Sequence, residues 1–212
     1  MTRVRTLARL ERMTFADFLD DLTSEQWIAP SLCDGWTVRD VVAHTVAYLG
    51  QSRTELAANM VSARGDVDRV NASKLSDFEA AEPDQLIEFM RRGADPSGAA
   101  ALYGCRVALI ECLIHQQDIR RPLRQIRTIP AEPLRISMKY ARINPVIGGA
   151  RRTRGVRLIA TDMEWSAGRG PEVRGSGEAL LLAMTGRLRF VADELDGAGV
   201  RVLRAREMAG SI

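Results

Sequence analysis

Glu111, His115 and Asp118 stand close together in the stretch Glu111-Cys-Leu-Ile-His115-Gln-Gln-Asp118. The run before them, Val107-Ala-Leu-Ile110, is apolar and reads as helix. On a helix, positions four apart share a face, with Cβ atoms about 6 Å apart. Glu111 and His115 therefore point the same way, and Asp118, seven after Glu111, lies on the same seam. A carboxylate and an imidazole so spaced can hold one metal ion from a single helix. The chain has two histidines, and the other, His44, also lies in a strongly patterned helical segment. Two imidazoles and one carboxylate would leave a cation with open coordination positions, as at a working site. Against this stand plainer readings. His44 would be a core histidine, Glu111 a helix-surface charge, and Asp118 the salt-bridge partner of Arg120 or Arg121. Asp118 as an acceptor behind a ligand imidazole is the functional alternative.

The elements that must position these residues follow from pattern. Leu7, Leu10, Phe15, Phe18, Leu19 and Leu22 form one stripe of a helix over 3–22. Thr23 offers an N-cap to a short helix. Pro30 to Trp36 is a loop, with Asp34-Gly35 as its turn pair. Thr37-Val-Arg-Asp40 has capping-box spacing and launches a helix through His44 to about Arg64. Residues 65–80 read as loop and Pro83 to about Gly93 as a short helix. The site helix spans roughly 99–120 and stops before Pro122. Three long and two short helices suggest an up-down four-helix bundle over residues 1–125.

Residues 126–212 read as a small α+β domain. A helix is expected near 132–142 and a strand over 156–161. Two short strands, 162–165 and 171–174, flank a turn at 166–170. An amphipathic helix follows from Gly177 to about Leu195, then a last strand over 200–203. The fold class is thus α+β, mostly α.

Apolar content of 46% and charged content of 27% are ordinary for a globular protein. The net charge of +3 is unevenly spread: residues 1–100 sum to −5 and residues 101–212 to +8. The basic half reads as solvated surface, not as a nucleic-acid face. No block of five like charges occurs, and aromatics are 5%. No apolar run approaches the ~18–20 residues of a membrane span, and the N-terminus lacks a signal-type apolar region. Cys33, Cys105 and Cys112 show no paired spacing and read as reduced thiols. Cys105 and Cys112 look like small core residues. A cytoplasmic protein is expected, with no nucleic-acid or membrane partner.

Three segments carry a family resemblance. Trp27, Pro30, Cys33 and Gly35-Trp-Thr-Val-Arg-Asp40, with His44 after them, resemble the opening of the mycothiol-dependent maleylpyruvate isomerase family, in the DinB/YfiT-like superfamily. Glu111, His115 and Asp118, followed by Arg121-Pro-Leu123, resemble its second metal-binding segment. Ala160-Thr-Asp162, Trp165, Gly170-Pro-Glu-Val173 and Gly186-Arg187 resemble its C-terminal part.

The resemblance implies a DinB-like bundle followed by a maleylpyruvate isomerase C-terminal-like domain, in an actinobacterium. It implies His44, Glu111 and His115 as metal ligands. Zn²⁺ is the default ion, with Ni²⁺ or Fe²⁺ as competitors. It also implies mycothiol as thiol cosubstrate and a small electrophile as substrate. The thiolate adds to an activated double bond, rotation follows, and loss of the thiol gives the trans isomer. Permanent S-transfer is the sister outcome, and a non-catalytic metal- or ligand-sensing module the alternative from another class. Asp118 and Arg187 are the expected catalytic residues. Arg187 would meet a substrate carboxylate, with Arg169 and Arg174 as weaker candidates. The protein is expected to be a monomer or homodimer.

Overall fold

The computed structural model describes residues 2–64 and 75–209. It separates into two compact units, Met1–Ile126 and Arg127–Ile212. Most of the loop expected at 65–80 lies outside the described residues.

In the first unit, α1 (Arg3–Asp20) is capped by Thr2, and α2 (Ser24–Trp27) begins in a capping box between Thr23 and Gln26. Helix α3 (Val38–Gly50) starts where the sequence predicts. Thr37 Oγ1 accepts from the Asp40 amide at 3.3 Å, and Asp40 Oδ2 accepts from the Thr37 amide at 2.9 Å. The helix expected to run on to Arg64 instead ends at Gly50, and α4 (Arg53–Ser62) begins anew. Ser52-Arg-Thr-Glu55 is a second capping box, which satisfies the orphan amides of a new helix and so ends the old one.

Helix α5 (Pro83–Arg92) has proline in its first turn, and α6 (Leu102–Arg120) carries the site residues. The start of α6 is not regular helix. Tyr103, Gly104 and Cys105 have φ of 52°, 65° and 66°, so regular geometry begins at Arg106. Helices α1, α3, α5 and α6 pack on one another as the expected bundle. Phe15, Leu19, Val41, Val42, Leu86, Met90, Leu109, Ile110 and Leu113 fill it. The stripe reading of α1 needs correcting: Leu10 is exposed, whereas Glu11 and Arg12, outside the stripe, are buried. Glu11 accepts from Gln116 Nε2 at 2.8 Å, and Arg12 Nε donates to the Met90 carbonyl at 3.0 Å.

In the second unit, α7 (Ala131–Ile143) and the short α8 (Gly149–Arg152) precede a three-stranded sheet. Its strands are β1 (Arg157–Ala160), β2 (Ser166–Gly168) and β3 (Glu172–Gly175), in the order β2-β1-β3. Strand β1 runs antiparallel to β2 and parallel to β3.

Three expectations fail here. The strand expected at 162–165 is a turn, and β2 occupies the expected turn at 166–168. The Ala160 amide closes that turn by donating to the Trp165 carbonyl at 3.0 Å, and the pairing of Ser166 with Ile159 sets the register. The long helix from Gly177 stops at Met184, forming α9 (Gly177–Met184). Gly186, at φ +90°, allows the Arg187 amide to reach back to the Leu182 carbonyl at 2.9 Å, a Schellman closure. Helix α10 (Leu188–Val191) follows. The strand expected at 200–203 is helix α11 (Gly199–Met208). Val200 and Leu203 are buried three apart on one helical face, while Arg201 and Arg204 face outward.

The α3 cap is a local test of how firmly His44 is seated. Thr37→Ala should lower unfolding free energy by about 1 kcal/mol, typical of N-cap loss. Chemical denaturation would measure it, and an unchanged midpoint would show that the cap contributes nothing.

Candidate metal centre

Helices α3 and α6 bring His44, Glu111 and His115 together. One donor atom from each lies within 4.8 Å of the other two. His115 Nε2 is 3.2 Å from Glu111 Oε2, and His44 Nε2 is 4.0 Å from the same oxygen. The two imidazole rings meet edge to face, with centroids 5.0 Å apart. Both histidines are 7% exposed. Glu111 is the more open member, its side chain 23% exposed. Its reading as a plain surface charge does not hold.

The donor set suits a cation. Ligands about 2.0–2.1 Å from a tetrahedral zinc lie about 3.3 Å from one another. The spacings of 3.2 and 4.0 Å at Glu111 are close to that. Two imidazole nitrogens and one carboxylate oxygen are donors that divalent transition metals accept.

Asp118 sits behind this cluster, completely buried. Its Oδ2 is 2.9 Å from His115 Nδ1, as the reading of Asp118 as an acceptor behind a ligand imidazole requires. The residue that sequence reasoning missed is Cys33. Its Sγ donates to the same Asp118 Oδ2 at 3.3 Å. Cys33, His115 and Asp118 form a second close group of possible donors, sharing His115 with the first. The two residues are 85 positions apart, and the order of the motifs does not encode their contact.

The loop carrying Cys33 is held on all sides. The Leu32 amide donates to the Asp118 carbonyl at 2.9 Å, tying the loop to the last turn of α6. The Trp36 amide donates to the Cys33 carbonyl at 3.0 Å, and Ser31 Oγ donates to the Trp36 carbonyl at 2.9 Å. Gly35, at φ +75°, supplies the left-handed residue that this turn needs. Trp36 lies against His44, with ring centroids 5.2 Å apart. Tyr48 stacks on the same ring at 6.1 Å.

Arg187 belongs to the second unit, where its Nη1 donates to the Thr185 carbonyl at 2.7 Å. Arg174 is engaged by Glu172 at 2.8–2.9 Å. Cys105 and Cys112 are buried, as expected of core thiols, and burial pushes the Cys105 pKa up.

Burial alone would lower the pKa of His115. Hydrogen bonds to Asp118, Cys33 and Glu111 outweigh it and hold the pKa well above the usual histidine value of 6.5. A proton bound more tightly in the folded state stabilises the fold fully below about pH 6.5 and ceases to do so as pH rises through the folded pKa. Chelator-treated protein should therefore lose thermal stability across that rise, and His115→Gln should flatten the dependence. Metal uptake must displace the same proton, so apparent affinity should strengthen over the same window. A flat metal-free profile would contradict the assigned hydrogen bonds.

The fold and this cluster define a class: a helical-bundle protein with a buried two-histidine, one-carboxylate group able to hold a cation, followed by a small α+β unit. Residues 8–105 match the family described as the mycothiol maleylpyruvate isomerase N-terminal domain. That stretch is thus similar to the N-terminal domain of that family, in line with the resemblance read from the sequence. The match includes Cys33 and His44; Glu111, His115 and Asp118 follow it. The fold as a whole is similar to the crystal structure of the mycothiol-dependent maleylpyruvate isomerase. Identity is 17%, coverage is 92% of this chain and 91% of that chain, and the TM-score is 0.58. A histidine-to-alanine mutant of that isomerase matches with the same values. No curated protein matches the chain in sequence. Among the described residues no helix is long and apolar enough to cross a membrane.

Proposed function

We propose that this chain is a metal- and mycothiol-dependent enzyme, an isomerase or S-transferase acting on a small electrophile. One observation carries the reading: His44, Glu111 and His115 converge with donor atoms within 4.8 Å, next to a loop that matches the mycothiol isomerase family. His44 and His115 would hold the cation through Nε2, and Glu111 through a carboxylate oxygen. A bound divalent cation supplies a Lewis acid that lowers the pKa of a thiol beside it.

The protein's own groups have separable roles. With a cation bound, Asp118 would keep the proton on Nδ1 of His115 and so leave the Nε2 lone pair to the metal. Trp36 and Tyr48 restrict the His44 ring and exclude water from its faces. Glu111, the most exposed of the three, marks the side open to thiol and substrate. Addition of the mycothiol thiolate to the activated double bond of a maleyl-type substrate creates a single bond free to rotate. Expulsion of the thiol then gives the trans isomer; its retention gives a thioether. Arg187 is carried as the partner of a substrate carboxylate on the strength of the Gly186-Arg187 pair.

The test is a mycothiol conjugation screen against maleylpyruvate and a panel of electrophiles, run on protein of known metal content. Near one equivalent of metal and a trans isomer or thioether are expected. Metal without turnover of any member would favour the sensing module. Native protein empty of metal that also fails to take up zinc would overturn the proposal.

A further inference from the structure

We infer that Cys33 is a positioning residue for the metal centre: its thiol, through Asp118, fixes the orientation of His115. The inference rests on the metal reading above and assigns a role to a residue outside the three ligands.

The argument starts at Asp118. A wholly buried carboxylate must be met by several donors, or its charge is too costly to keep. Two of those donors, His115 Nδ1 at 2.9 Å and Cys33 Sγ at 3.3 Å, converge on one oxygen, Oδ2. The bond from Nδ1 fixes Oδ2 along one line. A second donor from a different direction fixes the plane of the group. The plane fixes the imidazole, and the imidazole fixes where Nε2 points.

The thiol is itself preset. The Leu32 amide holds the Asp118 carbonyl, and Ser31 Oγ accepts from the Cys33 amide at 3.1 Å. The same loop sets Trp36 against His44. One short segment thus orients both imidazoles, one through a ring contact and one through a carboxylate. Cys33 faces the Nδ1 side of His115, whereas Glu111 meets Nε2. That placement argues against Cys33 as the attacking nucleophile, which would need the open Nε2 side.

The chain has only two histidines, so protein labelled with ¹⁵N at histidine gives a spectrum of two rings. Zinc affinity is read by competition with a chromophoric chelator. Cys33→Ala should weaken zinc about tenfold, at the lower end of what loss of an outer partner of a metal ligand costs. It should also shift and broaden the His115 Nδ1 proton signal of metal-free protein. Cys33→Ser, which keeps a donor, should restore both. An unchanged affinity and proton signal in Cys33→Ala would overturn the inference, as would equal losses in the serine variant. A sulfur-to-cobalt charge-transfer band in Co²⁺-loaded protein, absent from Cys33→Ser, would overturn it in favour of direct ligation. If the wild type takes up no metal, the functional reading fails, and Cys33 then stands or falls on the metal-free proton signal.

Discussion

Purified His115→Ala protein is expected to come free of metal, whereas the wild type carries close to one equivalent. The expectation follows from the position of His115 in the cluster. Its Nε2 is the nitrogen nearest Glu111, and the two groups share one helical face. Losing an outer partner of a metal ligand costs about 10–100-fold in affinity, and losing the ligand itself should exceed the upper end of that range. His44→Ala should behave likewise, since His44 is the sole donor of the set outside α6. The change should leave helicity intact. His115 lies at the bundle's donor cluster, and the packing is supplied by neighbours such as Leu109, Ile110 and Leu113. Elemental analysis and circular dichroism on one sample separate the two effects. A His115→Ala protein that retains its metal would place the ion elsewhere.

Asp118→Ala should show the second-largest effect, and a different one. The ligands remain, so metal still binds, but about 10–100-fold more weakly. Stability should fall as well. Removing the carboxylate takes the 2.9 Å acceptor away from Nδ1 of the buried His115. An unsatisfied buried donor costs about 1–3 kcal/mol. The raised pKa of His115 should drop, because Asp118 is the leading group holding it up against burial. Asp118→Asn would keep the shape and lose the charge. It should recover most of the stability and little of the affinity. Zinc competition and thermal unfolding on both variants test this. A variant with weakened folding and unaltered metal affinity would reduce Asp118 to a packing role.

How much of this was legible in sequence depends on how local the cause is. The Glu111–His115 face needs only helix periodicity, and the Thr37–Asp40 cap needs only four residues. Both were readable, and both are observed. His44 was different. Nothing in its own segment marks it as a ligand, and only the segment around it, read as a family motif, singled it out. Cys33 was not readable as a partner of Asp118, because the contact spans 85 positions and depends on how the loop meets α6. The errors in element boundaries have local causes that were available. Ser52-Arg-Thr-Glu55 carries the spacing of a new helix start, and Gly186 the residue type of a left-handed stop. Residues 200–203 misled for another reason. Val-Arg-Val-Leu satisfies alternation over four residues as well as it satisfies a helix, and only the packing of Val200 with Leu203 decides.

The left-handed run Tyr103–Cys105 sets where regular helix can begin, at Arg106. Glu111 then lies five residues from that start, and His115 five residues from the end at Arg120. Fraying opens the outer turns of a helix and leaves the middle to open only with larger units. The amides of Glu111 and His115 should therefore be among the slowest in the first unit to exchange with deuterium. The two donors sit on the stiffest part of their helix, already in register before anything arrives to be bound.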